Sequence, residues 1–501
     1  NGNFSGGLRF EAYQNPLLGF DPSYKGQGVA NYFAAYNGEK ISITAGNYYE
    51  QFGNGMILRA YEDRNLGLDN SLFGFNVKFR PMEGITIKAL VGKQRKYWGY
   101  GDGVVRGVDG EVNLNAVIKA MAESKTLVTL GAGFVSRYEA VTKSYPSGID
   151  GFNLNIPENV GAFSARMDLS HGSWGLQAEY ARKGQDPNNL MLNLDGLNAN
   201  YLYHPGEALF LSASYSQKGF SANVQAKRVD NMVFKNMREP GDDQGQQLYI
   251  NYIPAITKQH TYAFLTLFPY ATQASGEMGL TADVMYKIKK NTLLGGKYGT
   301  DLHFNASMIN AITIDSLIGE GRVNDYVSRF FGIGDQYYAD ATLEVAKKLS
   351  KSHKLVLTYG YVMYNPVVEG HGELPALHNH VAIADWTWKV NKKNVLRFEA
   401  EWQKSDQTAE TMHGDKRAGD WVMGLVEWNF ASNFFLCLSD QYCYANGNGA
   451  QYPQLSAGYT HGSTRLQLGY GKQREGMLCI GGVCRVVPAA NGLTFSLTTS
   501  F

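Results

Sequence analysis

Long apolar runs are missing from this chain. No stretch of 18 or more consecutive apolar residues occurs in its 501 residues, and the mean hydropathy is −0.29. A helical membrane protein, which needs about 20 such residues per span, is thereby excluded. An excess of either charge is missing as well: 46 basic and 45 acidic residues leave a net charge of +1. No basic block points to nucleic acid, and no global field points to strong ion selectivity. Proline is sparse at 14, and the four cysteines all fall late, at Cys437, Cys443, Cys479 and Cys484. No G-x-S-x-G, H-E-x-x-H or phosphate-loop motif appears, so no catalytic residue and no cofactor is assigned, and the expectation is a protein that is not an enzyme.

Glycine and aromatics are abundant: 57 Gly, 25 Phe and 32 Tyr. Together they suit many strands, tight turns and aromatic girdles at a membrane interface. The closing stretch NGLTFSLTTSF (491–501) shows the pattern most plainly. Leu493, Phe495, Leu497, Thr499 and Phe501 fall on one face, with Thr494, Ser496, Thr498 and Ser500 on the other. Strict period two belongs to a strand with different surroundings on its two sides. The same alternation recurs throughout. Phe73, Phe75, Val77 and Phe79 oppose Asn76, Lys78 and Arg80; Met278, Leu280, Ala282 and Val284 oppose Thr281 and Asp283; Leu396, Phe398, Ala400 and Trp402 oppose Arg397, Glu399, Glu401 and Gln403. A face carrying Arg397, Glu399 and Glu401 cannot meet lipid, and the apolar face beside it cannot meet water. Lipid outside and a wet, charged lumen inside satisfy both.

Connections come in two kinds. Short turns lie near Asn37-Gly38, Glu83-Gly84, Glu123-Ser124, His171-Gly172, Lys218-Gly219, Lys289-Lys290, Lys351-Ser352, Lys392-Lys393, Ala431-Ser432 and His461-Gly462. Long Gly- and Asp-rich stretches fall between them, at 52–70, 97–110, 139–158, 230–275, 310–336 and 366–378. The expected fold is all-β: one antiparallel transmembrane β-barrel of about 22 strands filling residues 1–501, with both termini periplasmic. The first strand, about 4–14, should pair with the last. The sequence opens at Asn1 without Met, which a processed, exported chain would explain.

The closing strand, ending on Phe501, resembles the last strand of bacterial outer-membrane β-barrels. GNYYEQFGNGMILRAYEDRNLGLDNSLFG (46–74), TLFPYATQASGEMG (266–279), GYTHGSTRLQLGYGKQREGMLCIGGVCR (458–485) and NGLTFSLTTSF resemble an outer-membrane, porin-like barrel family of unknown function found in Bacteroidota. That resemblance implies the bacterial outer membrane and no particular reaction.

Several clusters are candidates for function. The connection around 50–70 carries Glu50, Arg59, Glu62, Asp63 and Arg64 beside Met56, Ile57, Leu58 and Leu66. The apolar four need burial, so this connection is expected to fold inward as a charged constriction rather than project as a solvated loop. The stretch 230–275, with Arg238, Glu239, Asp242, Asp243, Tyr249 and Tyr252, is the second candidate to fill the lumen. Lys78, Arg80, Asp283, Arg397, Glu399 and Glu401 would then line a restricted channel.

Lys93 and Arg95, and again Lys472 and Arg474, follow a glycine at the outer end of a strand, with each lysine in the apolar phase. Snorkelling to lipopolysaccharide phosphates would explain this; generic rim charge is the alternative. Glu369, His371 and Glu373, then His378 and His380, recur at spacing two and could offer ligands to a divalent metal, ordinary loop histidines being the alternative. Cys479 and Cys484 flank the turn Ile480-Gly481-Gly482-Val483 and are expected to form a disulfide. Cys437 and Cys443, in one extended strand, would lie about 20 Å apart and cannot pair with each other. Asp440 interrupts the apolar Leu436, Leu438, Tyr442 and Tyr444.

Two roles follow: a porin-like channel for passive or gated passage of small polar solutes, or a plugged barrel serving as a scaffold subunit of a larger outer-membrane complex in secretion, assembly or nutrient uptake. The partners expected are lipid, lipopolysaccharide and membrane proteins or lipoproteins.

Overall fold

The structure, a computed structural model, describes residues 2–15, 21–64, 67–147, 152–188, 201–238, 248–317, 324–445, 450–474, 476–480, 483–487 and 489–500. One antiparallel sheet of 22 strands carries the fold. In chain order these are β1 (Phe4–Tyr13), β2 (Gly26–Asn37), β3 (Ile41–Tyr48), β4 (Leu72–Phe79), β5 (Ile85–Lys96), β6 (Gly99–Asn113), β7 (Thr126–Tyr138) and β8 (Asn159–His171). They continue as β9 (Trp174–Lys183), β10 (Gly206–Gln217), β11 (Phe220–Asp230), β12 (Gly276–Ile288), β13 (Thr300–Ser316), β14 (Tyr326–Lys348) and β15 (His353–Tyr364). The last seven are β16 (Leu377–Lys389), β17 (Val395–Ser405), β18 (Trp421–Phe430), β19 (Phe434–Cys443), β20 (Gln451–His461), β21 (Thr464–Gln473) and β22 (Ala490–Thr498).

Each strand pairs with the next, from Phe4 opposite Tyr36 in β1–β2 to Arg465 opposite Thr498 in β21–β22. Among the described residues no ladder joins β22 back to β1, so the expected pairing of first and last strands is not seen there. The start of β1 and the end of β22 do lie at the edge that carries the ten short turns. Two of those turns are longer than expected. Residues 114–125 hold a one-turn helix, Leu114–Val117, whose first turn is capped by the Asn113 side chain accepting from Ala116 N, and 289–299 form a compact loop.

Two stretches expected as long loops are strand instead. Residues 99–110 belong to β6, and β5 joins it through Tyr97 and Trp98 alone, Tyr97 taking a left-handed φ of 50°. Within 310–336 only 317–325 lie outside β13 and β14. Among the described residues no helix is long and apolar enough to cross a membrane.

The alternation sets two faces. On β17, Glu399, Glu401 and Gln403 are buried inward, while Trp402 is exposed outward. The outward face is dominated by apolar side chains, with charges such as Lys93 near the long-connection edge, and rows of aromatics mark both edges. Trp386 and Trp388 lie parallel toward the short turns, and Tyr359, Trp402 and Tyr442 stand toward the long connections. An exposed apolar surface this extensive is stable only against lipid. The inward face encloses one hydrophobic cluster that runs from Tyr48 on β3 to Tyr452 on β20, so the sheet wraps around a shared interior.

Candidate functional site

Two loops supply most of that interior, with Met412 and Ala418 of the connection between β17 and β18 packed into the same cluster. Residues 49–71, between β3 and β4, turn inward and bury Phe52, Met56, Ile57 and Leu58, as their apolar character demands. Gly53 makes the bend. Its φ is +52°, and a Cβ there would stand 2.5 Å from Glu179 Oε1. Residues 231–275, between β11 and β12, bury Met232, Phe234, Ile250, Phe264 and Phe268 beside them.

The loops are joined to each other by backbone and side chain. Arg59 N donates to Ile250 O and Tyr252 N to Gly55 O, both at 2.9 Å. Asn251 Nδ2 donates to Met56 O at 3.0 Å and to Met232 O at 2.9 Å. The Arg59 guanidinium sits between two rings, 4.5 Å from Tyr61 and 4.1 Å from Tyr252.

The wall receives the plug in two ways. Glycines clear space: a Cβ on Gly107 of β6 would lie 2.9 Å from the Phe52 ring, and one on Gly360 of β15 would lie 2.5 Å from Leu265 Cδ2. Carboxylates then anchor the loop backbone. Glu179 accepts from Asn54 N at 2.7 Å, and Glu401 accepts from Ala263 N and Phe264 N at 2.9 Å each. Glu277 accepts from Tyr270 Oη at 2.5 Å and Gln273 N at 2.6 Å while paired with Lys227 at 2.7 Å, and Asp340 holds His260 at 2.9 Å. Such buried acceptors are costly unless filled, so these contacts fix where the loops sit.

A second network ties the first loop to β1 and β5. Arg9 bonds Glu62 at 2.9 Å and also Asp69; Arg95 bonds Asp69 at 2.6 Å and Glu11 at 2.8 Å. Burial opposes ionisation of Asp69, but the Arg95 charge, the Ser71 amide and Arg9 outweigh it and hold its carboxyl below the usual range. Oxygens of Glu11, Glu62 and Asp69 approach within 4.8 Å of one another, and two guanidinium groups already bond them.

Of the charges expected at the constriction, Glu50 reaches Lys88 at 2.7 Å, while Arg64 stays exposed beside Glu62 at 3.0 Å. Lys78, Asp283 and Arg397 are half-buried on the inner face nearer the short turns, and Arg80 is exposed just past β4. Asp283 holds His303 at 2.7 Å, and Arg397 holds Asp385 at 2.9 Å and also Glu399. These form a polar vestibule. Glu401 belongs to the plug anchor above it. Of the charges expected in the second loop, Arg238 is buried against Asp186 and Glu139, both at 3.0 Å. Glu239, Asp242, Asp243 and Leu66 lie outside the described residues.

The rim expectations divide. Lys93 is exposed on the outward face, but a register shift between Lys93 and Arg95 turns Arg95 inward into the Asp69 network, so Arg95 is not a rim residue. Lys472 is exposed with Nζ 4.8 Å from the Tyr452 ring, whereas Arg474 covers the buried Trp421 ring at 5.5 Å. The five metal candidates are not brought together. Glu369 pairs with Arg417 at 2.9 Å, His371 with Glu373 at 3.4 Å, His378 with Asp406 at 2.7 Å, and His380 with Tyr359 Oη at 2.7 Å. Cys479 and Cys484 stand opposite each other in a short hairpin, their side chains lying outside the described residues. Cys437 and Cys443 are free thiols on one strand. Asp440 lies on the outward face, opposite Pro453 and bonded to Gln451.

Sequence reading missed Arg137, Asp186, Lys227 and Glu277. Their one signal is a charge in the inward phase near the long-connection end of a strand or just past it. It also missed the outer cluster in which His204 Nδ1 meets Asp325 at 2.7 Å and Tyr326 Oη donates to Asp230 at 2.5 Å.

Fold and interior together define a large antiparallel membrane barrel packed with its own loops. The chain belongs to DUF6029, a family of unknown function, whose model matches residues 1–501. No curated protein matches it. Among solved structures it is similar to the siderophore receptor PirA from Pseudomonas aeruginosa, with 11% identity, coverage of 94% of this chain and 76% of that one, and a TM-score of 0.39. It is also similar to OpdK from Pseudomonas aeruginosa, crystallised with vanillate (9%, covering 78% and 92%, TM-score 0.33), and to the copper transporter OprC (9%, covering 94% and 77%, TM-score 0.39).

Proposed function

We propose that this protein is an outer-membrane barrel of a Bacteroidota cell, closed at rest, which passes small polar solutes only when its inward loops leave their anchors. The short-turn edge, with both chain ends, faces the periplasm in this reading, and the long connections face outward. One observation carries it: the apolar cluster uniting Phe52, Met56, Ile57, Phe234, Phe264 and Phe268 fills the long-connection half of the interior. A barrel of about 22 strands otherwise leaves a wide aqueous lumen, so a filled interior of this kind is a gate or a permanent seal. The polar vestibule of Lys78, Asp283 and Arg397 favours the gate, since a sealed lumen has no use for a charged approach.

The second reading is a sealed barrel serving as a scaffold subunit, and the number of separate anchors on the plug favours it. Planar-bilayer conductance separates the two. Wild type should be silent or nearly so, and joint deletion of 52–68 and 232–272, which removes both inward loops with their anchored residues, should open a stable conductance. Silence in the deleted protein, with the barrel still folded, would leave only the scaffold reading.

A further inference from the structure

The ten short turns do not share charge evenly. The four that join β10 to β11, β12 to β13, β14 to β15 and β16 to β17 (217–220, 287–301, 347–354 and 389–394) hold twelve lysines and one carboxylate, Asp301. The other six hold four cations and three carboxylates. Asp301 is already taken by Lys287 at 2.7 Å.

Within this row Lys348 of β14 stands directly opposite Lys354 of β15, with both side chains exposed. Like charges so placed repel each other. The wall opposes two lysines once more, at Lys78 and Lys88, and there Glu50 of the first inward loop supplies the carboxylate, bonding Lys88 Nζ at 2.7 Å. Among the described residues no carboxylate bonds Lys348 or Lys354. Beside that pair, the 289–299 loop is braced by Gly296 N donating to Thr292 O at 2.8 Å and by Lys347 Nζ donating to Leu294 O at 3.1 Å. It presents Leu293, 98% exposed, in sequence between Lys290 and Lys297.

We propose that this edge binds an extended acidic segment of another protein, with carboxylates along the lysine row and an apolar side chain on Leu293. Size and direction select that occupant. From β10 to β17 the row spans roughly 35 Å, at about 4.8 Å between neighbouring strands, which is the reach of about ten extended residues and far beyond a small anion. Lys287, Lys348, Lys354 and Lys389 share the inward phase of their strands with Asp283, Glu344, Thr358 and Asp385, so they border the mouth of the lumen. The outward phase at that level, which lipid headgroups would meet, carries Tyr286, Leu355 and Trp388. Placing the partner in the periplasm rests on the orientation given above; the lysine row and its occupant do not.

Fluorescence anisotropy on the full chain in phosphatidylcholine nanodiscs tests this. The probe is a peptide of about twelve residues, glutamates around a central leucine, set against its glutamine counterpart. The acidic peptide should bind at least about tenfold more tightly, and added salt should weaken it. Lys348→Glu with Lys354→Glu should remove about tenfold of that affinity. Lys119→Glu with Lys125→Glu, in a turn outside the row, should leave it unchanged. Leu293→Ser should weaken the leucine-bearing peptide and not an all-glutamate one. Heat-modifiable gel mobility confirms that each variant is folded. Equal binding of the acidic and glutamine peptides, or equal loss from the two lysine pairs, would overturn the proposal. So would an effect of Lys348→Glu with Lys354→Glu confined to the phosphatidylglycerol carried by the purified protein, which would give the row to the membrane surface. No step of this assay needs the barrel to conduct, so the binding and the gate can each fail alone.

Discussion

The guanidinium of Arg59 lies 4.1 Å over the ring of Tyr252, and the two residues belong to different inward loops. The plug is therefore one body built from two distant parts of the chain. A loop that left alone would strand its partner's apolar residues and break the Arg59–Ile250 and Tyr252–Gly55 backbone bonds. Opening is expected to be cooperative.

Tyr252→Ala should weaken that joint without disturbing the wall. A desolvated cation–π contact contributes about 2 kcal/mol, and the lost ring adds the cost of a partial cavity. The expected result is a lower unfolding temperature and brief conductance bursts absent from wild type, read in the same bilayer assay. Tyr252→Phe keeps the ring face and should behave as wild type. Equal damage from both variants would show that the hydroxyl matters rather than the stacking.

Acid should loosen the first loop only at low pH. The Asp69 carboxyl is held below the usual range in the folded protein, so its pairing stabilises the fold above the unfolded value of about 3.9 and is lost as pH falls through the lower folded value. Amide exchange over residues 61–70 should stay slow from pH 7 to 5 and rise only below about pH 3.9. Asp69→Asn should show fast exchange across the whole range, since neutral Asn cannot pair with both Arg9 and Arg95.

Cysteine chemistry gives a third test. A non-reduced tryptic digest should yield the single peptide 475–485 lighter by the two hydrogens of a disulfide, with Cys437 and Cys443 both alkylated after unfolding. Those two sit on one strand, which separates their side chains beyond reach of a bond. Finding Cys443 linked to Cys479 or Cys484 would contradict the assigned pairing.

The period-two pattern made the wall legible because lipid and water impose opposite demands on alternate residues, as Leu396 through Gln403 show. The inward turn of 50–70 was legible for a similar reason, since Met56, Ile57 and Leu58 have no other place to go. Arg95 was misread because one bulge changes the phase of every residue after it, and nothing in Lys93-Gln94-Arg95 announces a bulge. Residues 99–110 were misread because their glycines look like loop. Gly107 serves a strand whose inner side chain has been removed to admit Phe52. The histidines at 378 and 380 looked like ligands by spacing, yet each is taken by a neighbour across the sheet or the adjoining loop. Partners supplied by residues far away in sequence leave no local mark.

The hollows at Gly107 and Gly360 have a consequence for an open state. Were the loops to swing out, the wall would keep dents shaped for Phe52 and Leu265, and water filling those dents would gain few hydrogen bonds from the apolar surface around them. The emptied barrel thus carries a mould of what it lost. Return to one register is written into the lining, so a channel opened in this way would close itself on the same seat each time without any further component to guide it.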